Sequence, residues 1–289
     1  MNRKFTIPIN KICEFPTRLG NRFAYPVVVY SAFPKSGSQS IRELIRKVLG
    51  TRTSLYIPKI HLGFGNNIIS PDKLPSIKQY FKPCLIYGHI TPTAYNISEL
   101  NKGCSKYFFV SIRGLKDVII SYKEHIDKTG FGPLDYRLPG LSEGLPNWPA
   151  MADELKFSFI IKFIIPWYVR FIAGWKTIAE SQPVRFMLFE DVVSHPGRIQ
   201  EMIARELQLK PGLRQRKLDK LPKINFNIGE NNRGASILCP AHDLELQHQL
   251  SFFPVLNRTE LGFYLLQNRH RDSNEDGRNM PDTAIPPLF

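Results

Sequence analysis

The stretch that decides the fold reads VVVYSAFPKSGS from Val27 to Ser38, and it continues into a segment with apolar residues at Ile41, Leu44, Ile45 and Val48. A β-branched run of this kind is typical of a strand that is buried on both faces. Apolar residues at i, i+3, i+4 and i+7 are typical of one face of a helix. The stretch therefore predicts a strand, a short P-loop-like turn and a helix, in that order.

The loop between this strand and this helix is suited to binding an anion. Backbone amides at the start of a helix have no partner within the helix, and the helix dipole places partial positive charge there. Gly37 would let the backbone approach a ligand closely, and Lys35 would add a mobile cation. We therefore expect the loop to bind phosphate or sulfate, which indicates a nucleotide ligand.

Further strand-like runs alternate with helical patterns along the chain. These runs cover residues 27–33, 84–87, 107–112 and 184–189. The alternation predicts an α/β fold, in which a parallel sheet is flanked by helices. Ligands of such sheets lie beyond the carboxyl ends of the strands, so the residues that follow the runs are expected to meet there. They are Lys35, His89, Arg113 and Glu190.

Length and charge limit the organisation of the chain and the partners it can have. We expect its 289 residues to form a basic N-terminal arm over 1–26, an α/β domain over 27–267 and a polar, flexible tail over 268–289. The net charge of +14 favours anionic partners. Nucleic acid, an acidic membrane and a polyanionic cofactor all match that charge.

The cysteines and the apolar segments favour a cytoplasmic protein. The four cysteines are scattered, with no Cys-x-x-Cys pair and no histidine placed to complete a zinc site. No apolar block of the kind found in signal peptides follows the basic N-terminus. The apolar stretch 157–175 is interrupted by Lys162, Pro166 and Arg170, so we expect a buried helix there and no transmembrane segment.

The loop differs from a Walker A sequence and resembles another phosphate loop. A Walker A sequence requires Gly-Lys followed by Ser or Thr, whereas here the lysine precedes the glycine. The stretch resembles the 5′-phosphosulfate loop, roughly Pro-Lys-Ser-Gly-Thr-Thr, of the sulfotransferases that use 3′-phosphoadenosine 5′-phosphosulfate (PAPS). Where many members carry a tryptophan that stacks on adenine, this chain has serine. The resemblance implies that the donor is held by Lys35, Ser36, Gly37, Ser38, Gln39 and Ser40.

A second segment, at a compatible distance downstream, resembles the 3′-phosphate segment of the same family. It reads RGLKDVIIS from Arg113 to Ser121, and the resemblance implies that these two end residues bind the 3′-phosphate. A guanidinium can grip a phosphate with two hydrogen bonds, and a serine on the following helix can donate another. From the residues alone, however, Arg113 could instead pair with Asp117 or Glu124.

Three more segments resemble the family. Arg233 and Gly234 match part of the segment that closes over the 3′-phosphate. Phe189, before Glu-Asp, stands where the family commonly has tyrosine. His89 matches the catalytic histidine of the family, although Tyr87 stands where many members carry a second lysine.

The resemblance implies a sulfotransferase that moves a sulfuryl group from PAPS to an acceptor hydroxyl by in-line displacement, releases 3′-phosphoadenosine 5′-phosphate (PAP) and needs no metal. His89 would be the general base, because an imidazole with a pKa of about 6.5 can accept a proton at neutral pH. Lys35 would stabilise charge on the departing phosphate. We expect a small-molecule, glycan or lipid-linked alcohol as acceptor and no nucleic-acid partner, and we leave the oligomeric state open.

Two other interpretations of the residues stay open. One is a P-loop-type kinase with a degenerate loop, which would lack the metal-binding Ser or Thr after Gly-Lys. The other is a non-catalytic protein whose basic surface binds nucleic acid or an acidic polysaccharide. Without the resemblance, His89 is equally well explained as a histidine that hydrogen-bonds in the interior.

Overall fold

A computed structural model describes residues 27–50, 54–56, 59–61, 67–69, 84–101, 106–130, 148–209, 233–256 and 260–266. The predicted basic arm (1–26) and polar tail (268–289) lie outside these residues. The structural statements that follow concern the described residues.

Five strands form one parallel sheet in the order β2-β5-β1-β6-β7, and two short strands form a separate antiparallel pair, β3-β4. The predicted parallel sheet is therefore confirmed. The strands are β1 (Val27–Ala32), β2 (Ser54–Tyr56), β3 (Lys59–His61), β4 (Asn67–Ile69), β5 (Cys84–Gly88), β6 (Lys106–Ile112) and β7 (Val184–Leu188).

Helices cover both faces of this sheet, as the α/β prediction requires. They are α1 (Ser38–Leu49), α2 (Ala94–Asn101), α3 (Leu115–Thr129), α4 (Asp153–Phe163), α5 (Ile165–Ile178), α6 (Phe189–Ser194), α7 (Pro196–Glu206), α8 (Arg233–Ile237), α9 (Pro240–Ser251) and α10 (Glu260–Leu266), with a 3-10 turn at Trp148–Ala150.

The central strand β1 is buried along its whole length, as its β-branched run predicts. Its side chains alternate between two apolar layers, because successive residues of a strand point to opposite faces. Val28 and Tyr30 pack in the layer that includes α1 and α7, whereas Val27 and Val29 pack in the layer that includes α3, α4 and α5. The loop after β1 therefore begins at a fixed point in the middle of the sheet.

The apolar stretch 157–175 forms parts of two helices, so the prediction of a single buried helix is wrong in that respect. The break falls between Phe163 and Ile165, and Pro166 lies in the first turn of α5. A proline there costs no helical hydrogen bond, since the first N–H groups of a helix have no partner within it. Among the described residues, the helical stretch Asp153–Ile178 is long and apolar enough to cross a membrane, and 56% of its apolar window is buried inside the protein, as in a core helix.

Candidate active site

The carboxyl ends of the central strands bring the predicted residues to one edge of the sheet. His89 Nδ1 lies 2.5 Å from the carbonyl oxygen of Ala32, the last residue of β1. Arg113 follows β6, and its Nη1 lies 3.4 Å from the carbonyl oxygen of Lys35. Glu190 follows β7 and accepts a hydrogen bond of 3.4 Å from the backbone N–H of the residue after Arg113. These contacts place the residues that follow β1, β5, β6 and β7 along one edge of the sheet.

The loop after β1 has a constrained backbone. Lys35 and Gly37 both adopt left-handed conformations, with φ values of 70° and 73°. A side chain at position 37 would have to displace Phe189, because a Cβ would lie 2.2 Å from its ring. The same ring lies under the guanidinium of Arg113, 4.6 Å from its Cζ atom. Phe189 therefore contacts the loop on one side and the arginine of the next strand on the other.

Helix α1 begins with its amides directed toward this edge. Within the described part of the chain no side chain caps the helix, and its first turn contains no acidic residue. The first amide bonded back into the helix is that of Ile41, which donates to Gly37 at 3.1 Å. The amides of Ser38, Gln39 and Ser40 thus carry the positive end of the helix dipole. Gln39 is exposed and the two serines are half-buried.

Ser36 is turned away from the solvent. Its hydroxyl donates to the Phe33 carbonyl at 2.6 Å, and its backbone N–H donates to the same oxygen at 3.2 Å. The residue is completely buried. Its hydroxyl therefore stabilises the loop from inside, and a contact between Ser36 and the donor stays a prediction.

Arg113 is held by its backbone and by its guanidinium. Its N–H donates to the Tyr168 hydroxyl at 2.6 Å, and that hydroxyl donates to the Arg113 carbonyl at 2.9 Å. Burial raises the pKa of Tyr168, so the phenol stays protonated and can donate. The guanidinium pairs with Asp117 at 3.5 Å, one of the two partners that the residues alone allowed.

The other predicted 3′-phosphate residues lie on or against α3. Ser121 is buried within α3. Gly234 donates its N–H to Asp117 at 3.0 Å, and a Cβ on this glycine would lie 2.4 Å from the backbone of Lys116. The guanidinium of Arg233 pairs with the carboxylate of Glu124. One helix therefore places both predicted 3′-phosphate segments side by side.

The contact of His89 fixes which of its nitrogens is basic. A carbonyl oxygen can only accept, so Nδ1 carries the proton in the neutral imidazole and Nε2 carries the lone pair. This tautomer leaves Nε2 as the nitrogen that can take a proton from a substrate. The side chain is half-buried beside the loop.

A second histidine near Lys35 was missed by the sequence analysis. His125 lies on α3, one turn after Ser121, and is half-buried. Burial, and secondly the positive charge of Lys35, lower the pKa of His125. The sequence feature that could have identified His125 is its spacing of four residues from Ser121, because residues four apart lie on one face of a helix. As for metals, no group of three or more His, Cys, Asp or Glu side chains among the described residues could hold one.

Comparisons with known proteins concern the fold. Neither a family model nor a curated protein sequence matches the chain. Among solved structures, the mouse sulfotransferase SULT7A1 complexed with PAP is similar over 83% of this chain and 88% of its own, with a TM-score of 0.56 and 15% identity. A sulfotransferase from Alicyclobacillus acidocaldarius is similar over 84% of this chain and 96% of its own, with a TM-score of 0.44 and 14% identity. By the first of these similarities, the chain has the sulfotransferase fold.

Proposed function

We propose that the protein transfers a sulfuryl group from PAPS to an acceptor hydroxyl. The observation that carries this proposal is the contact between the Arg113 guanidinium and the Lys35 carbonyl, at 3.4 Å. This contact puts the predicted 5′-phosphosulfate loop next to the predicted 3′-phosphate segment. Two adjacent cationic sites match a nucleotide that carries phosphate at both its 5′ and its 3′ position.

The residues divide into two groups in this proposal. Lys35 and the amides of residues 37–40 bind the 5′-phosphosulfate, because they combine a cation with the positive end of a helix. Arg113, Ser121, Arg233 and Gly234 bind the 3′-phosphate from α3 and α8. A structure with the same fold is complexed with PAP, which supports PAP as the ligand of this site.

The transfer itself is assigned to His89 and to the loop. Nε2 of His89 takes the proton of the acceptor hydroxyl while the hydroxyl oxygen attacks sulfur, and the bond between sulfur and the bridging phosphate oxygen breaks. The negative charge that develops on the departing phosphate is stabilised by Lys35 and the loop amides. The sulfated acceptor and PAP are the products, and no step of this scheme uses a metal.

The acceptor is proposed to be a small-molecule, glycan or lipid-linked alcohol in the cytoplasm. The two segments to which the sequence assigns acceptor choice, 59–75 and 128–149, lie for the most part outside the described residues. The proposal therefore names the reacting group of the acceptor, a hydroxyl, and leaves its carrier to experiment.

A calorimetric titration tests the proposal directly. We expect PAP to bind tightly with or without magnesium, and AMP, which lacks the 3′-phosphate, to bind much more weakly. Preference for magnesium-ATP over PAP would support a kinase instead. Salt-sensitive binding of heparin or DNA without any binding of PAP would support a non-catalytic polyanion-binding protein.

A further inference from the structure

Three buried hydroxyls form a chain from the interior of the sheet to the loop. The Tyr30 hydroxyl, on β1, lies 2.8 Å from Ser111 Oγ, on β6. Ser111 Oγ lies 3.0 Å from Ser36 Oγ, in the loop. Ser36 Oγ lies 2.6 Å from the carbonyl oxygen of Phe33. The three hydroxyl-bearing residues are almost completely excluded from solvent.

The carbonyl at the end of this chain fixes the direction of every hydrogen bond in it. A carbonyl oxygen only accepts, so the Ser36 hydroxyl donates to Phe33 and must accept from Ser111. The hydrogen of Ser111 is then used, so Ser111 accepts from Tyr30. Burial raises the pKa of Tyr30, which keeps the phenol protonated and able to donate. Each hydroxyl hydrogen therefore has one defined acceptor.

The chain ends on the turn that carries Lys35. The Phe33 carbonyl receives both the hydroxyl and the backbone N–H of Ser36, so two hydrogen bonds close the turn around Lys35. The left-handed backbone of Lys35 is costly for a residue with a side chain. Such a conformation persists only where neighbouring groups stabilise it, and the hydrogen bonds of the hydroxyl chain provide part of that stabilisation.

We propose that Tyr30 and Ser111 are positioning residues for the donor nucleotide. They act through Ser36 to keep Lys35 in the conformation that points its carbonyl at Arg113, and they touch no nucleotide themselves. This inference rests on the proposed function, because it assigns the two residues to the same donor site. It predicts that removing a hydroxyl deep in the sheet weakens PAP binding.

The test compares PAP affinity, by calorimetry, among Tyr30→Phe, Ser111→Ala and the double variant of the full chain. Ser111→Ala breaks two hydrogen bonds and leaves the Tyr30 hydroxyl buried without an acceptor, so we expect the largest loss, about tenfold. Tyr30→Phe removes only the first donor, and we expect a loss of about threefold. In the double variant no donor is stranded, so its affinity should exceed that expected from adding the two losses.

Two further variants separate positioning from simple destabilisation. Ser31→Ala also removes a buried hydroxyl from β1, but that hydroxyl bonds Ile90 and does not reach the loop, so PAP affinity should stay near wild type. Ser111→Thr keeps a hydroxyl and should retain PAP binding even if Ser111→Ala folds poorly.

The outcomes are distinguishable. If the wild type binds PAP and both Tyr30→Phe and Ser111→Ala bind it equally well, or lose no more affinity than Ser31→Ala, the positioning role is wrong while the proposed function stands. If the wild type binds no PAP, the proposed function fails and the inference fails with it.

Discussion

The two predicted phosphate sites are held in place by different forces. At the loop after β1, the conformation of Lys35 is supported by neutral hydrogen bonds among buried hydroxyls. At α3, Arg113 and Arg233 are held by carboxylates, those of Asp117 and Glu124. The loop conformation is thus supported by groups that carry no charge, whereas the guanidiniums of the second site pair with carboxylates.

This difference indicates which site changes when an anionic ligand binds. Hydrogen bonds between buried neutral groups are not weakened by salt, and none of these groups is an ion that an anionic ligand would replace. We therefore expect the loop to have its binding conformation before the ligand binds. The Arg233–Glu124 pair is partly exposed, at 31% and 25%, and such pairs contribute only about 0–1 kcal/mol. We therefore expect Arg233 to exchange its carboxylate for the 3′-phosphate at little cost.

The largest effect should come from His89→Ala. Because Nδ1 of His89 contacts the Ala32 carbonyl, Nε2 is the proposed base, and its loss should lower turnover by about 10²- to 10⁴-fold. PAP affinity should stay nearly unchanged, because the hydroxyl chain and the loop remain, whereas Lys35→Ala should lower both turnover and affinity. Turnover with an identified acceptor and PAP titration measure the two quantities.

His248→Ala is the matched control for this variant. His248 is exposed on α9 and its ring packs on Phe252, so its removal should leave turnover at the wild-type level. A loss of less than about threefold in His89→Ala would show that another group is the base.

Gly37→Ala compared with Gly130→Ala tests the rigidity of the loop. Both glycines have a positive φ, 73° and 67°, so alanine is strained at both, and Gly130, with a ψ of −176°, lies in a region that is essentially confined to glycine. Only at Gly37 does the new methyl also meet Phe189, whereas no described atom lies within 4 Å of a Cβ at Gly130. Displacing Phe189 also moves the ring against which the Arg113 guanidinium packs.

We expect Gly37→Ala to weaken PAP binding by at least about tenfold, because the methyl displaces Phe189, and to lower the free energy of unfolding. Gly130→Ala should leave PAP binding unchanged. Thermal unfolding and calorimetry measure the two effects. Equal PAP affinity in the two variants would mean that the loop accommodates a side chain and does not have its binding conformation before PAP binds.

The sequence predicts the loop more completely than the hydrogen bonds that stabilise its conformation. The βα unit around Lys35 follows from local patterns, and all four apolar positions predicted on one face of α1 are buried. The strands β2, β3 and β4 have three residues each, which is too short for a periodic pattern. The Tyr30–Ser111 bond joins residues 81 positions apart, and nothing in either strand's sequence indicates that the two meet.

The second site shows a different limit of sequence analysis. Arg113 and Ser121 are predicted from a motif, and the sequence also shows Asp117 and Glu124 as competing partners. Which carboxylate pairs with which arginine depends on how α8 packs against α3, which the sequence does not show. How near His125 lies to the charge of Lys35 likewise depends on the direction of α3 relative to the loop.

Glu124→Gln tests whether Arg233 exchanges partners. The substitution removes the charge that competes with the 3′-phosphate, so PAP affinity should rise by about two- to threefold, and AMP affinity should not change. Asp243→Asn is the control, because it disrupts another ion pair of α3, that of Lys116 at 2.8 Å, without touching Arg233. A lower PAP affinity in Glu124→Gln would mean that the carboxylate orients the arginine for binding.

The smallest effect should be seen at His125, whose pKa is lowered by burial and by the charge of Lys35. Because this pKa is lower in the folded than in the unfolded state, the unfolded state binds more protons, and this histidine lowers stability as the pH falls below about 6.5. A 5′-phosphate bound at Lys35 would offset that positive charge. Titration of the His125 imidazole by NMR should therefore show its pKa rising when PAP binds, and rising without PAP in Lys35→Met. If PAP bound tightly but left the pKa of His125 unchanged, the 5′-phosphate of PAP would lie away from Lys35. The loop after β1 would then not be the site of the 5′-phosphate.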